Sequence, residues 1–403
     1  SDTNSSRTRT LSRLLTQKAR APSHAPHSRP RLRRRHVITM PDTQPLAAAR
    51  AKKFVVDNFL VLGFCLALTI GLSAPAAGTT IASWSSGGWS IVQTIAVIII
   101  FIISGATLKT EEIAQALQSG RGALAYGLVS ILGVTPLLGF IHINIPYTPV
   151  QFRYGLALFC AVPTTLTSGV TLVRNAKGNV ALALMLTVST NLLGVFTVPF
   201  YFNAIARSGS STLGTSASGG DMGSQAVDLL VKLLCTILVP ICAGKIAREM
   251  IPVIAERAAK HKQELTLTNN SCLIIVVWMS ISKSAKQLLS TDAGSIFLVI
   301  FAGITTHVVF LAINYGATGA LGISGPERVA SVMMSSQKTL PVAMTVISYL
   351  DEDVFGASGL IAIPCIICHL TQLFMDAPLA TRLAKRFDAE VAAAAAKLTE
   401  HPV

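Results

Sequence analysis

Charge is what this chain lacks most. Only 13% of its 403 residues are Asp, Glu, Lys or Arg, about half the share usual in a water-soluble domain. Acids are the scarcer sign, 19 against 33 basic residues. A soluble enzyme of this length needs more charge than that to cover its surface. Cysteine is sparse and odd in number: Cys65, Cys160, Cys235, Cys242, Cys272, Cys365 and Cys368. Most of them sit in apolar runs, so buried thiols are expected rather than a disulfide framework. No Walker A run, no HExxH and no Ser-His-Asp signature occurs, so neither an enzyme nor a resident cofactor is expected. What the chain has is hydrophobicity, 51% apolar residues and a mean hydropathy of +0.58. That composition is that of an all-α polytopic membrane protein with the lipid bilayer as its main partner.

The basic excess is concentrated at the start. Residues 1–40 hold nine Arg and one Lys against the single acid Asp2. A segment rich in Arg and Ser and poor in acids has the composition of an organelle transit peptide. A basic arm for nucleic acid or lipid, around Arg33-Arg34-Arg35, is the rival reading; no nucleic-acid partner is expected from the rest of the chain. We read 1–53 as the transit peptide and basic flexible tail, 54–380 as the membrane domain and 381–403 as a C-terminal tail.

Ten apolar windows follow, near 54–75, 89–108, 122–143, 152–173, 179–205, 226–245, 266–283, 294–315, 329–350 and 355–378. Each approaches the ~20 residues that carry a helix across a bilayer. The runs are continuous rather than alternating, which favours helices over a barrel. With ten spans, seventeen Lys and Arg of the membrane domain and its flanks fall on the side of the termini, and only Arg153, Arg207, Lys283 and Lys286 on the other. That is the asymmetry of a protein retaining positive loops on one side.

The windows also repeat. Span 1 begins near Phe54 and span 6 near Ala226; Thr164 in span 4 and Ser336 in span 9 have the same separation. Around each of the latter a polar run interrupts an apolar helix, PTTLTSG at 163–169 and SSQKTLP at 335–341. Proline lacks a backbone donor and clashes with the preceding turn, and freed backbone groups are tolerated at membrane depth only where they line a cavity or lie within protein. Five spans per half gives halves of opposite orientation. We therefore expect ten transmembrane helices as two inverted five-helix repeats, 54–205 and 226–380, with broken helices 4 and 9 meeting at a site.

The residues of that site follow from the breaks. Pro163, Thr164, Thr165, Thr167, Ser336, Gln337, Lys338 and Thr339 are the expected substrate contacts. Lys338 is the sharpest of them, because a cation near the bilayer centre must be paired, hydrated or put to use. It could hold a substrate carboxylate or sulfonate, take the place of a transported cation, or pair with Asp376 or Asp228. His369, Gln372 and Asp376 share one helical face, and His369 joins the candidate contacts. Cys365-Ile366-Ile367-Cys368-His369 matches a haem-attachment pattern, but it lies in an apolar span with no haem domain around it.

At these residues the chain resembles the bile acid:sodium symporter superfamily, in particular its plastid sodium/metabolite cotransporter branch and the solute-carrier 10 member 7-like proteins. The segments FIISGATLKTEE (101–112), FCAVPTTLTSGVTL (159–172), KGNVALALMLTVSTNLLG (177–194), SSQKTLPV (335–342) and IPCIICHLTQLFMDAP (363–378) carry the likeness. It implies a panel and a core domain, with spans 4 and 9 unwound and crossing. It implies a secondary active transporter that moves a small organic anion or metabolite across the plastid inner envelope by alternating access. It further implies sodium as coupling ion, with Ser168, Gly169, Thr187 and Gln337 as oxygen ligands. Two departures bear on this. Met333 stands where sodium-coupled relatives have a carboxylate, and Lys338 where they have an amide. An ammonium beside a sodium ion would repel it by several kcal/mol at an effective dielectric of about 20. Coupling to sodium, to protons or to neither stays open here. So does a transport-inactive regulator with the same fold; an intramembrane enzyme would need a clustered acid and base that the spans lack beyond His369 and Asp376.

Overall fold

The computed structural model describes residues 46–111, 120–165, 167–213, 222–323 and 325–400. Residues 1–45, most of the expected transit segment, lie outside the described residues. The described residues are almost wholly helical. Helix α1, Leu46–Asp57, is built from Ala, Leu, Lys and Arg, strong helix formers, so the tail expected through residue 53 is helical from Leu46 onward. Asn58–Leu383 forms a compact unit of its own.

That unit opens with α2, Phe59–Ser73, and α3, Pro75–Ala82, which starts on a proline. Proline suits a first helical turn, where its missing donor is not needed. A two-residue hairpin follows, β1 (Ser85–Ser86) with β2 (Trp89–Ser90). Its turn residues Gly87 and Gly88 have φ of 57° and 80°, the positive-φ pair that a tight hairpin requires. Helix α4 spans Ile91–Thr107.

Next come α5 (Arg121–Val129), a π turn (Ser130–Val134) and α6 (Leu137–His142). The cause of the π turn is Pro136. Thr135 N–H reaches back five residues to Ser130 O at 2.9 Å, and Pro136, having no N–H, leaves Ile131 O without a backbone donor, with only the Thr135 hydroxyl of its own helix reaching it, at 3.0 Å. Span 4 is α7 (Gln151–Ala161) and α8 (Ser168–Asn175), separated by non-helical backbone. Helix α9 runs Val180–Leu213.

The second part repeats some of these devices. Helix α10 (Met222–Leu233), a π turn (Leu234–Leu238) and α11 (Val239–Met250) form one apolar rod, with Pro240 at the same place after its π turn as Pro136 after the first. Then follow α12 (Pro252–Lys260), α13 (Lys262–Lys283), α14 (Ala285–Ser290) and α15 (Ala293–Ala320). Span 9 is α16 (Gly325–Ser336) and α17 (Leu340–Tyr349), again broken. The short α18 (Glu352–Phe355) leads to α19 (Ser358–Glu400), so the expected C-terminal tail is helical to Glu400.

Among the described residues six stretches are long and apolar enough to cross a membrane as single rods: Arg121–His142, Val180–Gly209, Gln225–Met250, Lys262–Lys283, Ala293–Ala320 and Ser358–Arg386. Their outward faces carry large apolar side chains, with Phe297 69% and Phe301 65% exposed, where a water-soluble protein would place charge. The chain is a multi-pass membrane protein. Cys65, Cys235 and Cys242 are exposed rather than buried as the sequence suggested. They lie on apolar helices with outward-facing surfaces, where a thiol is as well tolerated as in a core.

Inside lipid, helices associate through close packing rather than through hydrophobic expulsion. The crossing of α4 and α11 shows how. A Cβ on Gly105 would run into Ile241 O, and one on Gly244 into Ile102 O. Each glycine lets the partner's backbone sit against it.

Candidate substrate and ion site

Pro163, Thr164 and Thr165 of one break and Ser336, Gln337, Lys338 and Thr339 of the other are buried, and the two breaks are bonded to each other. Thr339 N–H donates to Pro163 O at 2.9 Å, and the Thr164 hydroxyl donates to Met334 O at 2.5 Å. Pro163 and Pro341 remove the two donors that a continuous helix would need. The result is a crossing in which each unwound segment satisfies part of the other's backbone.

Neighbouring helices satisfy the rest. From α9, Asn191 Nδ2 donates to Thr164 O at 3.0 Å and to Thr187 O at 2.7 Å. The Thr187 hydroxyl donates to Ala183 O at 2.9 Å, with Thr165 O a longer acceptor at 3.3 Å. From α19, the Gln372 amide clamps the Lys338 peptide. Its Oε1 accepts from Lys338 N–H at 2.9 Å and its Nε2 donates to Lys338 O at 2.7 Å. His369 Nδ1 lies 2.9 Å from that same amide nitrogen. Asp376 accepts from Gln337 Nε2 at 2.7 Å and pairs with His307 at 2.8 Å. The Ser336 hydroxyl bonds back to Val332 O at 2.7 Å and meets Asn314 at 3.4 Å.

Lys338 pairs with neither Asp376 nor Asp228. Its ammonium donates to Thr135 Oγ1 at 2.7 Å, to Val162 O at 2.9 Å and to Ile131 O at 3.2 Å. Ile131 O is the carbonyl freed at the π turn. Val162 is the C-cap of α7, where the helix dipole presents negative partial charge. The Phe310 ring lies 5.7 Å away, within cation–π reach. The residue is fully buried. It faces a closed cage of oxygens, not the open cavity that its sequence context suggested.

Several oxygens at the crossing have no partner. Gln337 Oε1, Asn191 Oδ1, Thr339 Oγ1 and Ser335 Oγ are buried and unbonded. Gln337 Oε1 is the telling one, since Asp376 holds the other end of that amide. Beside it, Gly169 lets the chains pack closely: a Cβ there would lie 2.5 Å from Thr165 Cγ2 and 3.0 Å from both Gln337 Oε1 and Met334 Sδ. Ser168 and Thr165 share a hydroxyl contact of 2.7 Å at the same place. Among the described residues no group of three His, Cys, Asp or Glu could hold a metal ion, so any ion here would be held by neutral oxygens, with Asp376 one amide away.

A cleft of about 190 Å³ leads toward this crossing. Buried Thr187 and Asn191 line it together with exposed Thr167, Lys109, Arg174 and Lys262 and half-buried Arg248. All four cations belong to the positive side of the loop pattern. Two larger cavities, of about 460 and 450 Å³, involve residues such as Lys232, Tyr349, Gln93 and Glu352, and no residue of either break lines them. Of the expected substrate contacts, Thr167 lies in the basic cleft. Pro163, Thr164, Thr165, Ser336, Gln337, Lys338, Thr339 and His369 are gathered at the crossing but do not line it. Of the expected ion ligands, Ser168, Gly169 and Gln337 come together; Thr187 touches both the crossing and the cleft.

Sequence reasoning missed Thr135, Ser130, Asn314 and His307. Tyr126 OH and Ser130 Oγ both donate to Asn314 Oδ1 at 2.6 Å, beside Ser336. A signal was present: His307 and Asn314 are two turns apart on an apolar helix, and Thr135 precedes a mid-span proline.

Comparison with known proteins places this geometry. The SBF-like CPA transporter family matches residues 57–385. The probable sodium/metabolite cotransporter BASS4, chloroplastic, of Arabidopsis thaliana is 34% identical over 333 residues, covering 81% of this chain and 72% of that protein. Its counterpart in Oryza sativa subsp. indica is 35% identical, covering 80% and 74%. The sodium/bile acid cotransporter 7 of Danio rerio is 22% identical over 345 residues, covering 82% and 94%.

Proposed function

Because the chain belongs to the SBF-like CPA transporter family, we propose that it is a secondary active transporter carrying a small organic anion or metabolite across the plastid envelope by alternating access. The observation that carries this is the cleft from Arg174, Arg248 and Lys262 to Thr167, Thr187 and Asn191. A basic rim draws in anions and a polar floor replaces their water. The floor belongs to the crossing of two broken helices, the arrangement transporters use at the bilayer midplane. In this conformation the path from the positive side reaches the crossing.

The membrane domain is proposed as ten spans over 54–380. The six long rods, Phe59–Ser73, Ile91–Thr107 and the two broken pairs supply that number. Two inverted repeats, 54–205 and 226–380, account for the matching breaks in spans 4 and 9. Residues 1–53 are proposed as the transit segment and the inner envelope as the membrane. The chloroplastic naming of the plant relatives and the Arg-rich, acid-poor composition of residues 1–40 support both.

Sodium is proposed as coupling ion beside the unbonded Gln337 Oε1, with Gly169, Ser168, Thr165 and Thr187 nearby. The unpartnered oxygen and the sodium named in the relatives support it. Thr167, Thr187 and Asn191 meet the substrate, while Pro163, Thr164, Ser336, Thr339 and His369 shape the crossing. The test is uptake by reconstituted protein of a carboxylate panel, under sodium, potassium and proton gradients in turn. Saturable uptake that falls at least tenfold in Asn191→Leu is expected. No saturable uptake of any carboxylate under any gradient would overturn the reading.

A further inference from the structure

The Lys338 cage answers a question that the cleft does not. An ammonium has three donors, and all three are taken, by Thr135 Oγ1, Val162 O and Ile131 O at 2.7, 2.9 and 3.2 Å. None remains for a substrate carboxylate. No acid touches the ammonium either: Asp376 is held by His307 and Gln337, and Asp228 by Lys232 at 2.8 Å. The cage consists of two carbonyls, one hydroxyl and an aromatic face. Those are the groups that hold a bare monovalent cation, as carbonyl rings do in ion-selective pores. Both carbonyls are exposed for a reason of local structure, one by the π turn at Pro136 and the other by the end of α7 at Ala161. Without the ammonium Val162 O would be buried and unbonded, and Ile131 O would keep only the Thr135 hydroxyl at 3.0 Å.

We infer that the cage is a monovalent-cation site which Lys338 fills permanently, a tethered cation in place of a mobile one. It is distinct from the proposed sodium position at Gln337 Oε1, whose liganding atoms are different. The site therefore takes no ion in the native chain, and one positive charge moves with span 9 itself. The consequence for coupling, one mobile cation fewer per anion, rests on the transporter reading above; the cation count does not.

The experiment counts cations on the full-length protein purified in detergent. Radioactive sodium and rubidium are the probes, with unfolding temperature followed in sodium, potassium or choline chloride at equal ionic strength. Lys338→Ala and Lys338→Gln are each expected to bind one more cation per chain than the native protein. Their unfolding temperature should rise in sodium or potassium chloride relative to choline chloride, by more than that of the native protein. Adding Thr135→Val should abolish the extra cation. Unchanged stoichiometry in a folded variant, or an extra cation that survives Thr135→Val, overturns the inference. So does failure to recover either variant in sodium or potassium chloride, since those ions should fill the emptied cage. Absence of carboxylate uptake in liposomes would sink the transporter reading and leave the count untouched.

Discussion

Gln372 makes two hydrogen bonds to one peptide, and that peptide belongs to neither α16 nor α17. A helical residue would satisfy the Lys338 N–H and C=O through its own ladder; here a single side-chain amide does so. Replacing it with Leu strands both groups in a buried site, at about 1–3 kcal/mol each. Gln372→Leu should therefore lower stability by several kcal/mol. Gln372→Glu keeps the acceptor and should lie between, read as thermal unfolding in detergent. An unchanged unfolding temperature for the Leu variant would show that the break is held by other means. Much of this residue scale was legible in the sequence. Pro163, Pro341 and the mid-span Lys338 announced the breaks because each violates the rules of a continuous helix in lipid. What was not legible is which groups would close the freed backbone, because Gln372, Asn191 and Thr135 lie distant in the chain from the atoms they serve. The ammonium's surroundings were misjudged for the same reason: a π turn more than two hundred residues earlier supplies its carbonyl.

Among elements, α4 and α11 approach closely, where two glycines admit two backbones. The contact is with main-chain atoms, which cannot rotate away, so Gly105→Val and Gly244→Val should each force the helices apart. Both are expected to lose monodisperse folded protein on size-exclusion chromatography. Gly316 on α15 is the contrasting case, since nothing lies within 4 Å of a Cβ there. Gly316→Ala should be neutral or stabilising by up to ~1 kcal/mol through helix propensity alone. The element ends are also tied together. Glu352 Oε1 accepts from Lys283 Nζ at 2.8 Å and from Ser358 N–H at 3.2 Å, joining the ends of α13 and α19. Partial burial pushes its carboxyl up, but those two hydrogen bonds and the Lys283 charge outweigh it and the net shift is downward. A depressed folded value means the stabilisation is complete above the unfolded carboxylate range and fades as pH falls through the folded one. Glu352→Gln should thus lower the unfolding temperature at pH 7, with the difference from the native chain vanishing on acidification below about pH 4. A difference that persists in acid would assign it to packing. The helices were readable from their apolar windows, whereas the glycine crossing was not, since a glycine in an apolar run carries no mark of what it faces.

At the scale of the whole molecule, positive charge is concentrated on one side, and the cleft opens there. Lys109, Arg174, Arg248 and Lys262 converge on one entrance, so their fields add. A cleft walled by low-dielectric protein focuses such a field and raises the local anion concentration. The effect is electrostatic and so is screened by salt: the Debye length shrinks from about 8 Å at physiological ionic strength to about 3 Å at 1 M. Uptake of an anion from the positive side should show a KM that rises with salt while the maximal rate changes little, because the floor at Thr187 and Asn191 is untouched by screening. Arg174→Gln combined with Arg248→Gln should raise KM severalfold at low salt and flatten its salt dependence. The comparison needs protein of known orientation in the liposomes, since entry from the opposite side bypasses this rim. A KM indifferent to ionic strength from the positive side would mean that these cations only retain the loops in the membrane's positive compartment and take no part in capturing substrate.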